Sequence, residues 1–148
     1  MKFPANFAAY GWILTTALSI LSASAFAQDQ AKSASTRPVE DTKVVPLMSK
    51  AFGDIRGKEG VMLTVEYAPG ATSARHRHNA HTLVYVFEGS ITMQVDGGEE
   101  VTLTAGQTFY ESPKDIHAVS KNASSTQSAK FLVFFVKNRG APPVVPVK

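Results

Sequence analysis

From residue 28 onward, short apolar runs separated by glycine and proline turns restrict what this chain can fold into. In the run 61–67, apolar residues occupy every odd position, a period of two that is typical of a strand with one buried face. The run 130–137 encloses six consecutive apolar residues, as expected for a strand covered on both faces. No stretch after residue 28 has a convincing helical period. This pattern predicts an all-β sandwich or barrel.

The composition favours one globular domain and excludes several kinds of site. The chain has 148 residues, of which 44% are hydrophobic, which suits a single folded domain. It contains no cysteine, so disulfides, thiolate catalysis and cysteine-bound zinc are excluded. The formal net charge is only +3 and no run of four basic residues occurs, which argues against a nucleic-acid partner.

The first 27 residues have the pattern of a signal peptide. Lys2 precedes a nearly apolar stretch at 12–25, and Ala25-Phe26-Ala27 has the small residues that a signal peptidase requires. The stretch is shorter than the roughly 20 residues of a membrane span. We therefore expect cleavage after Ala27 and export to the periplasm or beyond, with no membrane association afterwards. The alternative is an uncleaved membrane anchor.

The mature chain divides into three segments by composition. Residues 28–42 are polar and predict a flexible arm. Residues 43–138 hold the strand-like runs and are assigned to the barrel. Residues 139–148 contain three prolines and predict an extended C-terminal tail.

All four histidines of the chain join one pattern. His76, His78 and His81 lie within six residues, and His117 begins a later strand. Residues i and i+2 of a strand project to the same face, so His76 and His78 point the same way. Imidazole is the commonest metal-binding side chain, and we predict a metal site formed by all four. The alternatives are solvent-facing polar residues on a loop, or a base with its hydrogen-bond partner.

Aromatic residues near these histidines are candidates for the wall of a pocket. If His81 begins the next strand, it shares a face with large apolar side chains that include Tyr85 and Phe87. Phe109 and Tyr110 lie on a later strand. Ordinary core packing is the alternative for each of the four aromatics.

Two motifs resemble those of the cupin superfamily, with a pattern like that of quercetin dioxygenases. In the first, Gly70 and five further residues lead to His76-x-His78, and the following strand ends in Glu88-Gly89. In the second, Gly106 leads through a Tyr-Glu-Ser-Pro segment to His117. The resemblance covers about residues 44–136. It implies a jelly-roll barrel, also called a double-stranded β-helix.

One departure from the family concerns the third ligand. The glutamate that usually binds the metal is missing. Counting back from Gly89 places that position at His81 for the shortest gap and at Thr82 for a gap one residue longer. The first alternative gives a four-histidine site for one divalent transition metal, either Fe, Mn, Ni, Cu or Zn. Four neutral imidazoles would leave the metal charge uncompensated and favour an anionic ligand.

The resemblance implies an enzyme, with a binding module as the alternative. Cupins of this kind include dioxygenases, so we expect a metal-dependent dioxygenase acting on a small enolizable or phenolic compound. The second hypothesis is a non-catalytic module that binds a metal or a small anion. No residue stands out as a general base; Glu111 is possible, but an acid at the end of a strand is more often simply exposed. The family also implies a homodimer, with residues 44–48 as a candidate exchanged edge strand.

Overall fold

The computed structural model describes residues 41–147, and these form ten β-strands. The strands are β1 (Thr42–Ala51), β2 (Lys58–Tyr67), β3 (His76–Arg77), β4 (Ala80–Glu88), β5 (Ser90–Val95), β6 (Val101–Thr104), β7 (Thr108–Glu111), β8 (His117–Asn122), β9 (Ala129–Asn138) and β10 (Val145–Pro146). The signal peptide at 1–27 and nearly all of the arm at 28–42 lie outside the described residues. Between residues 41 and 147 we find no helix that is long and apolar enough to cross a membrane.

The strands make two antiparallel five-stranded sheets. One has the order β1-β2-β9-β4-β7, and the other has the order β10-β3-β8-β5-β6. Strand β9 lies at the centre of the first sheet, where β2 and β4 pair with it on either side. The all-β prediction is confirmed, and the arrangement is the jelly-roll barrel implied by the family resemblance.

Alternation along the strands places the core between the sheets. In β9, Phe131, Val133 and Phe135 are buried, while the residues between them are only half-buried. Ile91 and Met93 of β5 bring apolar side chains from the second sheet to the same core. Each large side chain buried in this way stabilises the fold by about 1.5–3 kcal/mol relative to leaving it exposed.

The turn between β4 and β5 requires glycine. Gly89 has a φ of 71°, a left-handed conformation that side chains disfavour. A Cβ at this position would also lie 2.4 Å from the carbonyl oxygen of Ser128. This turn reverses the chain directly from the first sheet into the second, since β4 ends at Glu88 and β5 begins at Ser90.

Candidate metal centre

Three of the four histidines converge at the inner surface of the barrel. His76 of β3 is directly opposite His117 of β8, so their side chains share a face. The ring centroid of His76 lies 4.7 Å from that of His78 and 5.1 Å from that of His117. One ring nitrogen from each residue lies within 4.8 Å of the other two, and all three side chains are buried.

Backbone carbonyls fix the orientation of two of these rings. His76 Nδ1 lies 2.7 Å from the carbonyl oxygen of Ala74, and His78 Nδ1 lies 2.7 Å from that of Pro143. A carbonyl can only accept a hydrogen bond, so each Nδ1 carries the proton. When such a ring is neutral, its Nε2 atom carries a lone pair that is directed at the cluster.

The distance between these two Nε2 atoms is the distance expected of two ligands on one metal. They lie 3.2 Å apart. Two nitrogens that are each about 2.0–2.1 Å from a metal, at angles of roughly 90–110°, lie about 2.9–3.4 Å from each other. Two lone pairs this close repel each other unless a cation lies between them. His76 and His78 therefore form a preorganised half of a coordination sphere.

Glu111, a possible general base for which the sequence favoured an exposed position, lies at the candidate site. It ends β7 and is only 1% exposed, whereas an exposed strand-end acid was expected. Its Oε1 lies 3.4 Å from His117 Nδ1, and its Oε2 lies 3.9 Å from His78 Nε2. The carboxyl group thus lies beside two of the three histidines. The inferred set of four neutral imidazoles is replaced by three imidazoles beside one carboxylate.

The placement of Glu111 follows from the pairing of β4 with β7. Thr82 and Glu111 are directly opposite each other, so they present their side chains to the same volume. Thr82 is one of the two positions to which the family resemblance assigned the missing glutamate, and its side chain is fully buried. A signal was available in the sequence: the first motif lacks its acid, and an acid stands at the end of a short strand before His117.

Burial shifts the pKa values of these groups in opposite directions. Burial, with a smaller contribution from the Asp115 charge, raises the pKa of Glu111 to about 7. Burial lowers the pKa of His117 to about 3, and the neighbouring His76 and His78 lower it further. Burial also lowers the pKa of His78 to about 4. Each shift favours the neutral form, so near pH 7 His78 and His117 are the free bases that a metal requires.

His81 lies on the opposite face of the sheet, which corrects the expected ligand set. Even-numbered positions point inward from His76 through Val84, because Asn79, with a φ of 48°, continues the chain without changing this alternation. His81 is therefore exposed, and its Nδ1 lies 2.7 Å from the hydroxyl of Tyr110. Of the two alternatives for the third position, the structure directs Thr82 inward, not His81.

The same alternation corrects the predicted pocket wall. Tyr85, Phe87 and Tyr110 are exposed on the outer face of the first sheet. Phe109 alone of the four reaches the site, where its ring is stacked at 6.2 Å from that of His117. The expected grouping of residues on β4 is correct, but that group faces away from the cluster.

A cavity of about 180 Å³ adjoins the cluster. Its wall combines apolar side chains from both sheets with the three histidines, Thr82 and Glu111. Two buried polar residues, Tyr67 and Ser120, also line the cavity, and their hydroxyl oxygens lie 2.7 Å apart. The lining also includes the exposed Val44, Pro143 and Val144, so the cavity reaches the surface between β1 and the C-terminal segment.

Buried polar atoms without partners mark where a ligand fits. Within residues 41–147, the hydroxyl of Thr82, both carboxylate oxygens of Glu111 and both ring nitrogens of His117 are buried and lack hydrogen bonds. Buried polar atoms are nearly always paired in folded proteins, so five such atoms at one place need an explanation. A divalent cation held by imidazole and carboxylate groups would account for one His117 ring nitrogen and for the Glu111 oxygens, and these residues fit it.

The comparisons with known proteins agree with this fold. The family model described as "Cupin domain" matches residues 63–135. The polyketide cyclase RemF from Streptomyces resistomycificus is 24% identical, with a TM-score of 0.56 over 74% of this chain and 72% of that one. Oxalate oxidase in complex with glycolate is also 24% identical, with a TM-score of 0.56 over 72% of this chain and 55% of that one.

A third solved structure, KdgF from Halomonas sp., is 16% identical, with a TM-score of 0.55 over 68% of this chain and 82% of that one. At these identities the likeness shows the fold alone. No curated protein matches the sequence. The two sheets, the motif spacing and the family match together place this chain in the cupin superfamily.

Proposed function

We propose that this cupin is an exported, metal-dependent dioxygenase-type oxidoreductase that acts on a small enolizable or phenolic compound. The observation that carries the proposal is the convergence of His76, His78 and His117 beside the buried carboxylate of Glu111. These four residues would hold the metal. When bound, a redox-active metal supplies Lewis acidity and a route for electrons between substrate and O2.

The protein's own groups would prepare the substrate. Glu111 is buried with a pKa raised to about 7, so near neutral pH its carboxylate can accept a proton from an enol or phenol. The apolar wall, which includes Val84, Phe131 and Phe135, would exclude water and hold the hydrocarbon part of the substrate. These residues support acid–base chemistry next to a metal inside a largely apolar cavity.

The size of the cavity limits the substrate. At about 180 Å³ it is smaller than the 300–1,000 Å³ of sites that hold drug-sized ligands. The polar pair Tyr67–Ser120 offers a hydroxyl as a second contact in an otherwise apolar wall. We therefore infer a compact substrate.

The test uses protein recovered from the exported fraction. N-terminal sequencing should read Gln28 as the first residue, since cleavage after Ala27 is part of the proposal. Protein loaded with Fe(II), Mn(II), Cu(II) or Ni(II) is then assayed for O2 uptake with small diketones, catechols and oxalate. We expect uptake with at least one metal and one substrate. Tight metal retention without uptake would favour the non-catalytic binding module instead, and a chain that retains residues 1–27 would contradict export with cleavage.

We also propose that the protein is a homodimer. Leu83, Tyr85, Phe87 and Tyr110 form an exposed apolar patch, and Leu83 is directly opposite Tyr110. A patch of this kind is typical of a protein contact. Its members carry no formal charge, so two copies can meet across a two-fold axis without burying like charges. The edge strand β1, at the opposite edge of the same sheet, also has exposed apolar residues.

Light scattering tests the dimer. The variant Leu83→Glu/Tyr85→Glu introduces two charges into the patch and should convert the dimer into a monomer of half the mass. Lys114→Glu, at an exposed position on the β7–β8 connection, is the control and should remain dimeric. A native protein of monomer mass would refute the proposal.

A further inference from the structure

The C-terminal segment 140–147 runs beside the metal cluster. Its strand β10 pairs with β3, the strand that carries His76. The carbonyl oxygen of Pro143 accepts the hydrogen bond from His78 Nδ1, and Pro143 and Val144 line the cavity. We propose that this segment is a working part of the metal centre, and that the residues fixing its path act as positioning residues for His78.

An ion pair between the buried Lys137 and the half-buried Glu59 anchors the start of the segment. The Lys137 ammonium, in a residue only 5% exposed, pairs with the Glu59 carboxylate and donates to the carbonyl oxygen of Ala141 at 2.6 Å. Glu59 Oε1 also accepts a hydrogen bond from the backbone N–H of Gly140 at 3.1 Å. The hydrogen bond from Lys137, followed by that from Gly140, holds the pKa of Glu59 below its usual range. The pair therefore fixes the backbone at residues 140–141.

Pro142 and Pro143 restrict the backbone between the anchored residues 140–141 and the Pro143 carbonyl oxygen, which accepts the hydrogen bond from His78. Ala141 and Pro142 each precede a proline, and residues in that position are confined to extended conformations. Pro142 and Pro143 also have a fixed φ. Few torsions remain free between the anchor and the Pro143 carbonyl. Beyond it, the pairing of β10 with β3 holds the other side.

The consequence concerns which nitrogen of His78 faces the metal. The carbonyl can only accept, so it keeps the proton on Nδ1 and directs Nε2 toward the cluster. Loss of such an outer partner typically weakens metal affinity 10–100-fold. Glu59, Lys137, Pro142 and Pro143 thus act on the metal through His78 without touching it. The inference rests on the proposed metal binding.

The experiment uses full-length protein and zinc(II) as the probe. Glu59→Gln/Lys137→Met removes both charges of the anchor while keeping similar shapes, and Pro142→Gly/Pro143→Gly frees the connection but retains the carbonyl. Lys130→Met, on the same strand as Lys137, is the matched control. Zinc affinity is measured by competition with a chelator, and the nitrogen-15 spectrum reports the His78 tautomer. We expect zinc affinity to fall 10-fold or more in both double variants, with no change in the control.

Two failures can be distinguished. Native protein that binds no zinc would refute the proposed function. Native protein that binds zinc, with folded double variants that bind it equally well and keep His78 protonated at Nδ1, would refute the positioning role alone. If the anchor variant does not fold, Pro142→Gly/Pro143→Gly decides, because both prolines are exposed. A native His78 that binds zinc through Nδ1 would also overturn the inference.

Discussion

The variant His117→Ala is expected to lose stoichiometric metal binding. His117 is the only one of the three converging histidines supplied by β8, and its ring closes the group begun by His76 and His78. Without it, only two imidazoles and the Glu111 carboxylate remain. The fall in zinc affinity should exceed the 10–100-fold that follows loss of an outer partner. Isothermal titration with zinc(II) measures the effect, and circular dichroism checks that the barrel is retained.

His81→Ala is the matched control for this variant. It removes an imidazole that is close in sequence to His78 but lies on the outer face, beside Tyr110. Its metal stoichiometry and affinity should equal those of the native protein. Thr82→Ala should also retain the metal, since a hydroxyl is a poor ligand. Loss of metal in His81→Ala with retention in Thr82→Ala would show that the inward and outward faces of β4 are assigned the wrong way round.

The variant Glu111→Gln is expected to stabilise the metal-free protein while weakening its metal affinity. The folded-state pKa of about 7 lies above the ordinary value of 4.5, so the unfolded chain loses its proton first as pH rises. Glu111 therefore lowers the stability of the native protein relative to the Glu111→Gln variant between about pH 4.5 and pH 7, whereas the contributions of His78 and His117 are the same in both proteins. At pH 8 the gain should reach about 3 kcal/mol, an order-of-magnitude figure, because one pKa unit corresponds to about 1.4 kcal/mol.

Chemical denaturation of metal-free protein from pH 4 to pH 8 measures this difference. The curves of Glu111→Gln and the native protein should coincide near pH 4 and separate as pH rises. Glu66→Gln, at an exposed position on β2, is the control and should leave the pH dependence unchanged. Parallel curves for Glu111→Gln and the native protein would contradict the raised pKa. A stabilised protein with full zinc affinity would contradict the role of Glu111 in holding the metal.

The sheets could be predicted from the sequence because their signal is local. Alternation with a period of two, interrupted by turns such as that at Gly89, is visible in single segments. The shared face of His76 and His78 follows from the same period. The inward face of β4 could not be settled this way, because a shift of one residue exchanges the two faces. Both choices, His81 or Thr82, were compatible with the sequence, and only the continuity of the chain through Asn79 decides between them.

The roles of Glu111 and Pro143 depend on contacts between distant parts of the chain. Glu111 becomes part of the site because β7 pairs with β4 in a register that opposes it to Thr82. Pro143 becomes part of the site because β10 pairs with β3. Neither pairing leaves a periodic signal within its own segment, and β10 has only two residues. Such strands are recognised only when their partners are known.

The opposition of Thr82 and Glu111 has a consequence for how metal-binding cupins are recognised. Side chains at directly opposed positions on antiparallel strands reach the same volume. Two substitutions can therefore replace an acid on one strand by an acid on its partner with no movement of the backbone. A motif search that demands an acid at the position of His81 or Thr82 would classify such a chain as metal-free. Searches that score the pair of opposed positions together would retain it.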